Sequence, residues 1–230
     1  MNTLSDVIKS IRKYSSLEGK KSQAYFGITD VHNYGLNHLQ MKAIAKEIGR
    51  NHPLALKLWK TGIHEARHIA IIIADKKQVS EKLMEEWVKD FNSWDIVDDC
   101  CGRLFSKTPF AYTKAMEWTK RKNEFEKRAG FTLMAMLAVH DKVASDKLFE
   151  SFFPYIPRES NDERNFVKKA VNWAIRQIGK RNKRLCKKAI ALSELIKKKD
   201  DKSSRWISTN ALRELKNYLD EGKIKNIGNP

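Results

Sequence analysis

The chain has 230 residues, 41% of them hydrophobic, enough to fold around one sizeable core or two small ones. Its formal charge of +17 points to a phosphate-rich partner, nucleic acid first and an anionic membrane surface second. No apolar run approaches the roughly 20 residues that span a bilayer, no secretion signal opens the sequence and the three cysteines form no CxxC pair, so the expectation is a cytoplasmic protein, not membrane-bound, whose thiols stay reduced in its core.

Apolar residues recur three and four positions apart almost throughout, and strand-like alternation is nearly absent, which predicts an all-α chain. Start signals place about a dozen helices over a single helical domain, residues 1–230. Ser5 precedes the first; Asn37 with Gln40 forms a capping box; Pro53 and Pro109 suit first turns; Ser80, Ser93, Asn123 and Ser145 suit caps. Gly49, Gly62, Gly102 and Gly179 fall where helices end. Residues 19–35 read as irregular, residues 197–204 as a charged break, and the last helix as residues 207–219.

His64-Glu65-Ala66-Arg67-His68 has the H-E-x-x-H pattern, which on a helix sets two imidazoles on one face with a glutamate as base. The extended metalloprotease form is absent, because Ile71 and Ala74 stand where it needs Gly and a third His. The competing reading is a buried repeat helix with Ile63, Ala66, Ile69, Ala70 and Ile73 as its stripe, and Glu65 and Arg67 facing partners or solvent. A zinc peptidase is therefore the least favoured function.

Next comes an acidic and aromatic island, Asn92-Ser93-Trp94-Asp95-Ile96-Val97-Asp98-Asp99, in a basic chain. At 100° per residue Val97, Cys100, Cys101 and Leu104 centre a buried face, and Asp95 and Asp99 point away from it toward water. Asp98 lies at the edge of that face with Trp94 one turn earlier, where a partly desolvated carboxylate can stabilise developing positive charge. Trp94 as core and Asp98 as a structural partner is the other reading, and the spacing leaves both open.

Several later helices begin with a basic residue, then small residues and an apolar run. Arg128, Lys168 and Arg205 mark this texture at intervals of about 40 residues, the period of two-helix repeats that stack into a curved solenoid with a concave face, here a basic one. An irregular bundle of amphipathic helices is the alternative. Between residues 162 and 179, Val167, Val171, Ala174 and Ile178 form the apolar stripe. Trp173 falls off it, in a row with Lys169, Arg176 and Lys180, while Arg181, Lys183 and Arg184 extend the positive patch. An indole among cations suits contact with nucleic acid, unless it buries against a neighbouring repeat.

With these residues in view, the chain resembles the AlkD-like DNA alkylation repair proteins, alkylpurine DNA glycosylases built of HEAT-like helical repeats. The resemblance runs from Phe26-Gly27-Ile28 to Asn210-Ala211-Leu212-Arg213-Glu214-Leu215. It is carried by Ser93-Trp94-Asp95-Ile96-Val97-Asp98, by Lys127-Arg128-Ala129-Gly130-Phe131, and by Phe166-Val167-Lys168-Lys169-Ala170-Val171-Asn172-Trp173-Ala174-Ile175-Arg176. It implies Asp98 as the catalytic carboxylate, Trp94 and Trp173 as the tryptophans flanking the lesion's deoxyribose, and Arg128 and Arg176 at the DNA surface, beside the basic residues Lys168, Lys169, Lys180 and Arg181. Tyr25 is out of register with the family's N-terminal aromatic, so that role is not carried over. The implied substrate is double-stranded DNA bearing N3- or N7-alkylated purines. The implied enzyme is a monomer that needs no metal, cofactor or obligate protein partner, acts at the nucleoid and takes the base into no pocket. The rival within the same fold is a non-catalytic scaffold for distorted or branched DNA.

Overall fold

A computed structural model describes residues 3–29 and 32–221. Among them every regular element is helical, and the chain divides into two compact units, Met1–Thr108 and Pro109–Pro230. The first holds α1 (Leu4–Lys13), α2 (Leu17–Tyr25), α3 (His38–Ile48), α4 (His52–Trp59), α5 (His64–Ile73), α6 (Glu81–Lys89) and α7 (Trp94–Arg103). The second holds α8 (Ala111–Trp118), α9 (Glu124–His140), α10 (Asp146–Glu150), α11 (Tyr155–Arg158), α12 (Asn165–Gly179), α13 (Lys183–Lys197) and α14 (Lys202–Asp220). None of these helices is long and apolar enough to cross a membrane.

Local side-chain chemistry sets most helix starts. Asn37 and Gln40 form the expected reciprocal box, and Ser80 and Asn123 accept from the first-turn amides of α6 and α9. Ser93 and Ser145 occupy cap positions without a capping bond. α1 is capped not by Ser5 but by Thr3, which exchanges two 3.2 Å bonds with Asp6. Pro109 stands before Phe110, the cap of α8, and so outside the first turn. The last helix starts at Lys202 rather than near Ile207, because Asp201 accepts from the Ser204 amide at 2.7 Å; the charged break shrinks to residues 198–201.

The segment read as irregular contains a helix. Ser16 caps α2 by accepting from the Gly19 amide at 3.0 Å. Helix α2 then meets the chain at Gly35 backbone to backbone: a Cβ on Gly19 would lie 1.9 Å from the Gly35 carbonyl oxygen, and Gly35 has φ of +79°. Both positions therefore require glycine. Gln23 Nε2 donates to the Leu36 carbonyl at 3.1 Å and holds the two passes together.

In the first unit α5 packs against α1, α3, α4 and α7, so it is buried nearly all round rather than along one stripe. In the second unit α9 packs against α8 and α12, α12 against α13 and α14, and α13 against α14, the neighbour-to-neighbour order of stacked helix pairs. All three cysteines are buried thiols outside any disulfide; burial pushes the Cys186 thiol up to about 11.

Candidate active site

Helix α7 presents the acidic and aromatic island to a cleft of about 460 Å³ within the first unit. Val97, Cys100, Cys101 and Leu104 are buried, as the helical spacing predicts. Trp94 and Asp98 are half-buried and line the cleft, with His64 and His68 of α5, His38 and Met41 of α3, and Gln23, Ile28 and Leu36 from the crossed segment. The Trp94 indole Nε1 donates to the Phe26 carbonyl at 2.9 Å, which fixes the ring and ties the end of α2 to α7. Tyr25, to which the family's N-terminal aromatic role was not carried over, stands 85% exposed with its ring edge-on to Phe26.

Asp95 and Asp99 do not face water. Their side chains are only 19% and 12% exposed, because α5 lies where the helical wheel placed solvent. Asp95 Oδ2 lies 3.0 Å from His64 Nε2 and 3.1 Å from His68 Nε2, while His68 Nδ1 meets Asp99 Oδ2 at 3.0 Å. Arg103 pairs with the other oxygen of Asp99. Burial works against a charge on His68, yet the hydrogen bonds to Asp95 and Asp99 outweigh it and push its pKa up to about 9. Burial likewise works against charge on Asp95 and Asp99, and their partners still hold both below the usual carboxylate range: His64 and His68 for Asp95, His68 and Arg103 for Asp99.

A raised histidine pKa adds stability that is complete below the unfolded value near 6.5 and is lost as pH rises through about 9. The depressed carboxylates add stability present above about pH 4 and lost below it. In chelator, thermal melts should therefore plateau between about pH 5 and 6.5 and fall on the alkaline side, by up to about 3 kcal/mol. His68→Leu should remove the alkaline decline; an unchanged decline would assign it to another group.

The H-E-x-x-H helix gives its glutamate a structural task. Glu65 is 0% exposed, and its carboxylate accepts from the backbone amides of Tyr34, Gly35 and Leu36 at 2.9, 2.8 and 3.2 Å. It is thus committed to a loop and is not poised over the histidines as a base. Arg67 donates to the Asp90 carbonyl at 2.9 Å and lies over the Trp59 ring. Of the groups able to hold a metal, His64, His68 and Asp95 offer ligand atoms that all lie within 4.8 Å of one another.

In the second unit Trp173 is half-buried on α12 between exposed Lys169 and the pair Arg176 and Lys180. Those two cations share the Glu214 carboxylate, so the row is partly neutralised. Lys168 lies 5.3 Å over the Trp206 ring. Two residues expected at the DNA surface are instead internal. Arg181 is 1% exposed, and its guanidinium donates to the carbonyls of Ala138, Asp141 and Ala144. Arg128 is also buried and donates to the Phe166 carbonyl at 2.7 Å, joining α9 to α12. The carbonyls that Arg181 meets lie at the C-terminal end of α9 and in the turn after it, where helix carbonyls lack intrahelical partners, whereas Arg128 adds a bond to a carbonyl of the first turn of α12.

The sequence profile of the DNA alkylation repair enzyme family matches residues 7–215. The chain belongs to this family. A solved structure described as "a new family of proteins related to the HEAT-like repeat DNA glycosylases with affinity for branched DNA structures" superposes with a TM-score of 0.79 at 23% identity, over 97% of this chain and 96% of that one. This family member therefore has the HEAT-like repeat fold. A designed armadillo repeat protein aligns more weakly, with a TM-score of 0.43 and 14% identity over 93% of this chain and 100% of the other. No curated protein sequence matches significantly.

Proposed function

We propose that the protein is a DNA glycosylase that hydrolyses the N-glycosidic bond of N3- or N7-alkylated purines in duplex DNA. The observation that carries this reading is Asp98, half-buried beside the pinned ring of Trp94 in a cleft rich in carboxylates, within a chain of strongly positive overall charge. Alkylation gives the purine a positive charge, so it leaves with the bonding electron pair and needs no enzyme acid. Positive charge then builds on the sugar, where the Asp98 carboxylate stabilises it, the Trp94 face adds cation–π attraction, and a water held by Asp98 adds to the anomeric carbon and gives its proton to that carboxylate, which releases it to solvent. The test is base release from methylated duplex DNA by wild type and by Asp98→Asn.

In this reading Trp173, Lys168 and Lys169 contact DNA from the second unit, and Arg176 and Lys180 do so by exchanging Glu214 for phosphate. Lys169→Ala should weaken binding evenly across sequences and lower the slope of log affinity against log salt by about one. An unchanged slope would remove Lys169 from the interface.

The superposed relative's described affinity for branched DNA favours a second reading, a scaffold that binds such DNA without cutting a bond. Wild-type protein that binds four-way junctions tightly and releases no base from alkylated duplex would establish it.

A further inference from the structure

We propose that His64, His68 and Asp95 form a binding site for one zinc-class divalent ion, coordinated by the two Nε2 atoms and Asp95 Oδ2, with Asp99 orienting His68 from behind. The site is separate from the bond-breaking role given to Asp98, and its readout is metal rather than base release.

Sequence spacing builds it. Residues four apart on α5 hold their rings edge-to-face with centroids 4.9 Å apart, and both Nε2 atoms converge on the same carboxylate oxygen at 3.0 and 3.1 Å. A tetrahedral zinc ion with ligands at about 2.0–2.2 Å needs its ligand atoms roughly 3.3–3.5 Å apart. The three atoms, all within 4.8 Å of one another, reach that spacing by side-chain adjustments of about an ångström.

The surroundings also suit a metal. Ligating histidines usually present their second nitrogen to a carboxylate, which fixes the tautomer and frees the first nitrogen's lone pair. His68 does this through Asp99 at 3.0 Å, and Arg103 in turn holds Asp99. His64 is 1% exposed and its Nδ1 has no hydrogen-bond partner, so its polar engagement runs through Nε2, the atom aimed at Asp95. A dication would meet the Asp95 carboxylate with both imidazoles neutral, while Arg103 pairs with Asp99. Two nitrogens and one oxygen favour zinc over magnesium or calcium, which prefer all-oxygen sites. The same three residues line the cleft, so a fourth ligand enters from its solvent. Because Glu65 is occupied by three backbone amides, the ion would not make a peptidase of the H-E-x-x-H helix.

The experiment uses the full chain, stripped with chelator and then titrated with zinc by calorimetry and with cobalt(II) by visible absorption. The expected result is one equivalent bound with the intense bands of tetrahedral cobalt. Binding should weaken about 100-fold or more in His64→Gln and Asp95→Asn, and about 10- to 100-fold in Asp99→Asn. Melting of each variant in chelator shows whether it is folded, and His64→Gln carries the test if Asp95→Asn is not. Absence of stoichiometric binding by wild type, or equal binding by folded His64→Gln, overturns the site and leaves a buried ion-pair network.

Discussion

Asp98→Asn is expected to lower release of 7-methylguanine and 3-methyladenine from methylated duplex DNA at least ~100-fold, with DNA affinity changed by less than ~3-fold. A 100-fold loss is about 2.7 kcal/mol of transition-state stabilisation, the scale of one preorganised electrostatic group acting on developing charge. The substitution keeps the side chain's size and removes its charge, at a half-buried position on the wall of the cleft. Asp95 and Asp99 cannot take over, because both are locked against His68. Equal excision by wild type and variant would end the role assigned to Asp98. A wild type that releases no base from any alkylated duplex would favour the branched-DNA scaffold.

What the sequence disclosed was what short range decides. The all-α class, the Asn37–Gln40 box and the caps at Ser80 and Asn123 depend on bonds spanning two or three residues, and all were legible. The buried side of α7 was legible too, since Val97, Cys100, Cys101 and Leu104 obey one helical period. Its opposite side was misread because a helical wheel tells apolar from polar but not solvent from a second helix. The signal was nevertheless present: His64 and His68 are four apart, and so are Asp95 and Asp99, a spacing match that allows two helices to zip their polar faces together. Arg181 was placed at the surface by its cationic neighbours and Arg128 by the family resemblance, and neither signal separates cations that face solvent from those that donate to buried carbonyls. The role of Glu65 was beyond local reasoning, since its three donors lie about 30 residues away in a loop whose path depends on Gly19 and Gly35.

That loop gives the largest expected effect on stability. Glu65→Ala should destabilise the first unit by ~3–5 kcal/mol, a drop in melting temperature on the order of 10 °C or more. The cause is the loss of one acceptor for three donors. The amides of Gly35 and Leu36 are buried, and an unpaired buried amide costs roughly 1–3 kcal/mol. Glu65→Gln separates charge from geometry. Its amide oxygen can stand where Oε1 accepts from Gly35 and Leu36, while its NH₂ group faces the Tyr34 amide that Oε2 also serves. It should lose about half as much as alanine. Leu39→Ala, at an exposed position on α3, should change the melt by under about 0.5 kcal/mol and serves as the control. The loop also supplies Leu36 to the cleft, so base release by Glu65→Ala should fall even at temperatures where the variant is still folded. A Glu65→Ala protein that melts with wild type would mean that the amides of residues 34–36 find other acceptors, and that the place of Leu36 in the cleft wall does not depend on Glu65.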